Sequence, residues 1–278
     1  LKPYQGDPAS SNLLEIRPPI ANDCETELTA ILDKYDQLKK PFGPALVFLD
    51  QFGYSDVSLD LIGRLMKHRS CEVFTYLHAG GMIRFLEDPD KDAALTKAYG
   101  GDRWKKAQVA PNAQRAAMLA SIYQEQLEQQ AGVEYVWSFA MHGDGNQILY
   151  WLFFCTNNLR GLEEMKNAML KVDDSGSFRF SDAESPDQVQ LFSAVDHEWV
   201  AGRLRKHFAG KNVKIADVQH YVLTRTPAVS FRRALGILEK GGHVAVTGPE
   251  VPRKKGTFSD EIPWTLRFAP LGTEALRF

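Results

Sequence analysis

The spacing of apolar residues along the first part of the chain predicts helices and buried strands in alternation. Between residues 28 and 38 apolar side chains recur at helical spacing, after Asn22 and Asp23, either of which can cap the helix. The run 44–50 is apolar until its final carboxylate, which is typical of a strand buried on both faces of a parallel sheet. A second apolar run, 71–77, completes a strand-helix-strand unit.

Helical patterns predominate in the following segment, and a hairpin ends it. The spacing predicts helices at about 58–67, 81–88, 91–107 and 112–131. Two strand-rich runs, 133–141 and 147–156, then flank His142-Gly143-Asp144-Gly145-Asn146, a sequence that favours a hairpin turn. We therefore expect an α/β fold with a parallel sheet that ends in an antiparallel hairpin.

The C-terminal part has a different pattern. A helix from Asn158 precedes residues 173–190, whose Asp, Ser and Gly content is typical of a linker. Helical patterns then lie at about 195–208, 215–223 and 227–240, and two strand patterns lie at 243–246 and 262–268. Three helices followed by a hairpin is the order of a winged helix-turn-helix. The sequence thus predicts two domains, residues 1–182 and residues 190–278.

The charge distribution differs between these two parts. The 278-residue chain has a formal net charge of −2, which argues against a protein that is basic throughout its surface. From residue 191 onward fourteen basic side chains face eight acidic ones, so this part carries +6 and the remainder −8. A basic domain on an acidic body indicates an anionic partner, such as nucleic acid, for the C-terminal part.

The cysteines and the hydropathy predict a cytoplasmic protein. Cys24, Cys71 and Cys155 are scattered and form no C-x-x-C pair, so neither a disulfide framework nor a tetrahedral zinc site is indicated, and we expect reduced core thiols. No run of 18 apolar residues and no signal-peptide pattern is present, which predicts no membrane contact. Because the chain begins at Leu1 rather than Met, we expect that upstream residues have been removed.

The strongest candidate for chemistry is Asp50 with the aromatic residues that follow it. Enzymes that methylate the amine of a nucleobase must accept a hydrogen bond from the NH₂ group and stack the ring on an aromatic side chain. Asp50, at a strand end where α/β sheets collect ligands, with Phe52 and Tyr54 close behind, has this layout. The alternative is that Asp50 only caps the next turn, a common role of Asp at strand ends.

These residues also carry a family resemblance. Leu49-Asp50-Gln51-Phe52-Gly53-Tyr54-Ser55 resembles the Leu-Asp-Pro-Phe-Gly signature of the three-Cys-motif partner protein family (TcmP). Similar stretches follow in the same order over about residues 44–268: Glu72-Val73, Arg84-Phe85, Phe153-Phe154-Cys155-Thr156-Asn157 leading to Gly161, Met165-Lys166, Met169 and Phe180-Ser181-Asp182.

The resemblance implies a Rossmann-like, methyltransferase-type domain with a C-terminal winged helix. It implies S-adenosylmethionine as the cofactor and a radical-SAM-like protein with three cysteines as a partner. Two features depart from the family pattern. Gln51 stands in place of the proline, and no G-x-G-x-x-G or similar loop follows a strand before Asp50. Residues upstream of Leu1 would have to supply that loop.

Basic residues near the predicted recognition helix and wing are the candidates for nucleic-acid binding. Arg232 and Arg233 fall near the start of that helix, and Arg253, Lys254 and Lys255 fall at the tip of the hairpin. The alternative is a winged helix that pairs with protein and whose basic side chains are merely solvated.

Other clusters are less specific. His78 and Glu72 would lie on one face of a strand about 20 Å apart, so they cannot share a site directly. His142 and Asp144 are typical of turn chemistry, and no metal site is predicted.

Three functional hypotheses follow. We favour a methyltransferase-like enzyme that acts on an amine, plausibly of a nucleobase. The second is a non-catalytic partner, scaffold or DNA-binding module, suggested by Gln51 and the missing glycine loop. The third, a hydrolase, has little support because the carboxylates lack metal-ligand spacing.

Overall fold

The computed structural model describes residues 18–50, 57–142, 148–172, 179–181, 196–249, 253–259 and 262–272, and over these ranges the chain is mixed α/β. The first part contains helices α1 to α6 and strands β1 to β5: α1 Cys24–Gln37, β1 Ala45–Leu49, α2 Leu59–Met66, β2 Cys71–Leu77, α3 Ala79–Phe85, α4 Asp92–Tyr99, α5 Asn112–Gln129, β3 Tyr135–His142, β4 Ile148–Thr156, α6 Leu159–Val172 and β5 Arg179–Ser181. The second part contains α7 His197–Phe208, β6 Asn212–Lys214, α8 Ile215–Arg225, α9 Arg232–Lys240, β7 Val244–Thr247 and β8 Thr265–Phe268.

The five strands of the first part form one mixed sheet in the order β1-β2-β4-β3-β5. β1 and β2 are parallel, β4 is antiparallel to both β2 and β3, and β5 is parallel to β3. The predicted parallel pair and antiparallel hairpin strands are therefore confirmed, while the hairpin turn at 143–147 lies outside the described residues. β5 falls within the segment predicted as a linker. Its three residues form a strand only because they pair with β3.

The prediction that β1 is buried on both faces was wrong. Ala45, Val47 and Leu49 face the core, but Leu46 and Phe48 on the opposite face are 61% and 60% exposed. The reason is position: β1 pairs only with β2 among the described strands, and no described helix covers its outer face. Apolar composition alone does not tell a central strand from an edge strand.

Helices cover the two faces of the sheet unequally. α2, α3 and α5 pack on one face, where Val73, Phe153 and Cys155 are fully buried. On the other face α6 covers only part of the sheet, packing on an aromatic group that includes Phe139 and Phe154.

The predicted helix at 91–107 is divided in two. α4 ends at Tyr99, and a short 3-10 helix, Asp102–Ala107, follows. Gly100 adopts φ +65°, the left-handed conformation that glycine favours at a helix C-terminus, and so ends the α-helix.

The second part has its own core and a three-stranded sheet in the order β6-β8-β7. The three predicted helices are confirmed, but the third begins at Arg232 rather than near 227. Thr226 is extended, the conformation favoured for a residue before proline, so the chain leaves α8 there and turns before α9 begins. β6 is too short to be read from the sequence.

Lys166 joins the two parts. Its side chain, on α6, is fully buried, and its Nζ donates to the backbone carbonyls of Leu223, Thr226 and Ala228 at 2.8, 2.7 and 2.9 Å. The same ammonium lies 4.1 Å from the ring centroid of Trp137 on β3. A cation at a helix C-terminus is electrostatically favourable, so Lys166 fixes the end of α8 against α6 and β3.

None of the described helices has both the length and the apolar character needed to cross a bilayer.

Candidate functional site

Asp50 lies immediately beyond the carboxyl end of β1 and is exposed. Leu49 pairs with Thr75 in the parallel register, so Asp50 comes level with Tyr76 on the neighbouring strand. Phe52 and Tyr54, the aromatic residues expected to accompany Asp50, lie outside the described residues. The predicted strand-end position of the carboxylate is thus confirmed, while its predicted aromatic partners stay predictions.

A group of aromatic rings surrounds this strand end. The Tyr76 and Tyr150 ring centroids are 4.6 Å apart, and the His78 ring stacks on Tyr76 at 6.2 Å. Burial raises the pKa of Tyr76, and the charges of Tyr150 and Asp50 raise it further.

Sequence reasoning missed Tyr76 and Tyr150. The signal was present in β2, where Glu72, Phe74 and Tyr76 alternate with core residues and so share one face. The proximity of Tyr150, however, depends on the pairing of β4 with β2, in which Leu77 lies opposite Trp151.

The arrangement of Asp50 and these rings suits an amine on a planar ring. A carboxylate accepts hydrogen bonds from an NH₂ group, and tyrosine faces stack on aromatic ligands. Phe48 extends the aromatic surface, since its exposed ring lies 5.7 Å from Phe74 on the same face. Chemically, the group can bind and orient an aromatic amine.

The described residues do not fit S-adenosylmethionine. In α/β sheets a glycine-rich turn between a strand and a helix normally holds the phosphates of a dinucleotide, and the family resemblance implies a comparable turn for S-adenosylmethionine. Among the described residues β1 is the first strand and stands at the edge of the sheet, so none of them forms such a turn before Asp50.

Among the described residues the weaker candidates do not come together in a common site. Glu72 accepts a hydrogen bond from Thr156 Oγ1 at 3.0 Å, at the end of β2 opposite to His78, as the strand spacing predicts. His142 is buried at the end of β3, and Asp144 lies outside the described residues. Within the described ranges no group of three His, Cys, Asp or Glu side chains has the geometry to hold a metal ion.

Four of the five basic candidates in the C-terminal part are exposed. Arg232 and Arg233 occupy the first turn of α9, and Lys254 and Lys255 occupy the turn that precedes β8. Burial lowers the pKa of His197, and the charge of Arg233 lowers it further, while Asp196 opposes this shift.

Arg253, the fifth candidate, is engaged inside the protein. Its guanidinium forms an ion pair with Glu239 of α9, and both side chains are largely buried. It also donates to the carbonyl of Thr257 at 2.6 Å, and Glu239 accepts from the backbone N–H of Gly256 at 2.6 Å. Arg253 therefore holds the turn against α9, which leaves Lys254 and Lys255 as the outward cations of this turn.

No family model, curated protein or solved structure matches the chain.

Proposed function

We propose that the protein docks on duplex nucleic acid through a winged helix formed by residues 196–272. The observation that carries this proposal is the order of elements, helix-strand-helix-helix-strand-strand, with the last strand between the other two in the sheet. In that arrangement α9 is the recognition helix and the segment between β7 and β8 is the wing.

The exposed charges have the positions that this docking needs. Side chains in the first turn of a recognition helix reach base edges in the major groove, and here that turn carries Arg232 and Arg233. Lys254 and Lys255 on the wing would contact phosphates, whose neutralisation releases counterions.

Fluorescence anisotropy with a labelled duplex, measured over a series of salt concentrations, tests the proposal. We expect the double variant Lys254→Gln/Lys255→Gln to bind more weakly and to reduce the slope of log K against log salt by about 1 to 2. The matched control is Lys39→Gln/Lys40→Gln, which removes two exposed charges just beyond α1. Equal slopes for the two double variants would contradict docking through the wing.

A second function is favoured by the Asp50 group: recognition of a nucleobase amine by a methyltransferase-like domain of the three-Cys-motif partner type. The support is the carboxylate at the end of β1 beside Tyr76 and Tyr150, together with the motif around Asp50. The strand order β1-β2-β4-β3, with its antiparallel hairpin, agrees with the methyltransferase-type sheet expected from that resemblance.

Asp50→Asn tests this second function, with Asp90→Asn as a control at an exposed carboxylate on another segment. We expect loss of methyl transfer to a nucleic-acid amine in Asp50→Asn alone. Titration of the protein with S-adenosylmethionine separates the alternatives. If no cofactor binds, the enzymatic proposal fails and a scaffold or partner of a radical-SAM-like protein is the better account, which co-purification with such a protein would support.

A further inference from the structure

A basic, aromatic cavity lies between α7 and α8, on elements other than the recognition helix. It is open to solvent, has a volume of about 460 Å³, and is lined by Arg203, His207, Phe208, Asp217, His220, Tyr221, Thr224 and Arg225. None of these residues belongs to α9 or to the turn at 253–259. The volume lies within the range of roughly 300–1,000 Å³ that is common for small-molecule sites.

The rings of this cavity form a stacking platform. His207 and Tyr221 are stacked with centroids 4.2 Å apart and an interplanar angle of 25°, and the edge of His207 meets Phe208 at 4.7 Å. His207 is exposed and Tyr221 is half-buried, so the face of His207 turned away from Tyr221 points outward. An outward ring face of this kind binds planar rings.

The charge of the cavity favours an anion. Among the described residues neither Arg203 nor Arg225 forms an ion pair with a carboxylate, although Arg203 lies 5.4 Å from the Trp199 ring. Burial lowers the pKa of His207, and Lys211, Arg225 and Arg203 lower it further, because all three place positive charge at the ring. The one carboxylate of the lining, Asp217, already accepts a hydrogen bond from the backbone N–H of Lys214 at 2.9 Å.

We propose that this cavity binds a nucleotide, with a phosphate held by Arg203 and Arg225 and the base stacked on His207. Guanidinium groups bind phosphate in bidentate fashion. The aromatic rings at the same cavity provide the surface on which the base of a nucleotide can stack. The nucleotide is either free in solution or the phosphorylated end of a single strand. The proposal does not depend on duplex docking through α9, since the two sites share no residue.

Isothermal titration with adenosine 5′-monophosphate tests the site in the full chain. We expect binding that weakens by about tenfold or more in Arg203→Gln/Arg225→Gln, because two charge-assisted contacts are lost. Lys39→Gln/Lys40→Gln, which removes two charges elsewhere, should bind as the wild type does. Adenosine and inorganic phosphate, each offering half of the contacts, should bind at least about tenfold more weakly than the nucleotide.

Ring substitutions separate stacking from charge. His207→Phe should retain the nucleotide affinity and His207→Ala should lose it, and circular dichroism checks that both exposed-site variants are folded.

Titration with a 5′-phosphorylated oligonucleotide and its dephosphorylated form identifies the source of the phosphate. Phosphate-dependent binding that is lost in Arg203→Gln/Arg225→Gln assigns the site to strand ends. The proposal is overturned if neither adenosine 5′-monophosphate nor the 5′-phosphorylated oligonucleotide binds. It is also overturned if Arg203→Gln/Arg225→Gln leaves their binding unchanged. Neither result bears on the wing lysines, whose variants test duplex docking separately.

Discussion

Arg253 holds a turn of the C-terminal part against α9. Its ion pair with Glu239 is largely buried, and its guanidinium also lies 5.2 Å from the Phe258 ring and 5.7 Å from the Trp264 ring. Removing one partner of a buried pair leaves the other charge uncompensated, which is strongly destabilising. We therefore expect Arg253→Gln to lower the free energy of unfolding by about 2 to 4 kcal/mol.

Urea unfolding followed by circular dichroism measures this effect. Lys254→Gln, next to Arg253 but exposed, is the matched control and should change the free energy of unfolding by less than about 0.5 kcal/mol. If Arg253→Gln is as stable as Lys254→Gln, the guanidinium is not holding the wing turn.

The three cysteines differ in burial and therefore in reactivity. The expectation that all three are core thiols was wrong for Cys24, which is exposed on α1, whereas Cys71 and Cys155 are buried. Burial raises the pKa of Cys71 to about 11, and burial also raises the pKa of Cys155. Because only the thiolate is nucleophilic, we expect a thiol reagent such as Ellman's reagent to modify one cysteine in the native protein and three after unfolding. Loss of the native reaction in Cys24→Ser identifies the residue, and a rapid reaction of two or more native thiols would contradict the assigned burial.

At the level of helices and strands, hydrophobic periodicity predicts those elements that have several apolar residues on one face. α1, α2, α5 and the strands of the hairpin have such faces, and Asp23, one of the two predicted caps, caps α1. β5 and β6, with three residues each, have no period to detect and exist only through pairing with β3 and β8. The exposed face of β1 could not be predicted for a similar reason, since the exposure of Leu46 depends on which elements lie beside the strand.

The packing of α6 on the end of α8 predicts a pH dependence of stability. Burial lowers the pKa of Lys166 from 10.5 to about 7, so above neutral pH the unfolded chain binds more protons at this residue than the folded chain does. The free energy of unfolding must then rise with pH between these two values, and this contribution is lost as the pH falls through about 7. From about pH 7 to about pH 8.5 the rise due to Lys166 is on the order of 1 kcal/mol.

Urea unfolding of Lys166→Met at several pH values in this window isolates the contribution. The variant should lack the rise in the free energy of unfolding that is due to Lys166. Lys171→Met, an exposed change on the same helix, should keep it. Parallel pH profiles for the wild type and Lys166→Met would show that the buried ammonium does not titrate in this range.

At the scale of the whole molecule, the order of most helices and strands could be predicted from the sequence, but the contents of the candidate site could be predicted only in part. Asp50 was identifiable because a carboxylate ended an apolar run. Tyr150 and Lys166 were not, because strand register brings Tyr150 to Tyr76 on the strand beside Asp50, and helix packing buries Lys166 under the C-terminal part. Long-range pairing of this kind leaves no local pattern.

Lys166 also connects the surface proposed to dock on nucleic acid with the sheet that carries Asp50. The carbonyls that it binds lie in the last turn of α8 and in the segment that leads to α9, so binding that immobilises α9 should restrict the fluctuations of α6 as well. We expect saturation with duplex to slow amide hydrogen exchange in α8, α9 and α6 of the wild type, whereas in Lys166→Met the slowing should be confined to the C-terminal part. Lys171→Met, with its exposed substitution on α6, controls for local effects on that helix. Slower exchange limited to residues 196–272 in the wild type would mean that the two parts respond independently and that Lys166 transmits nothing between them.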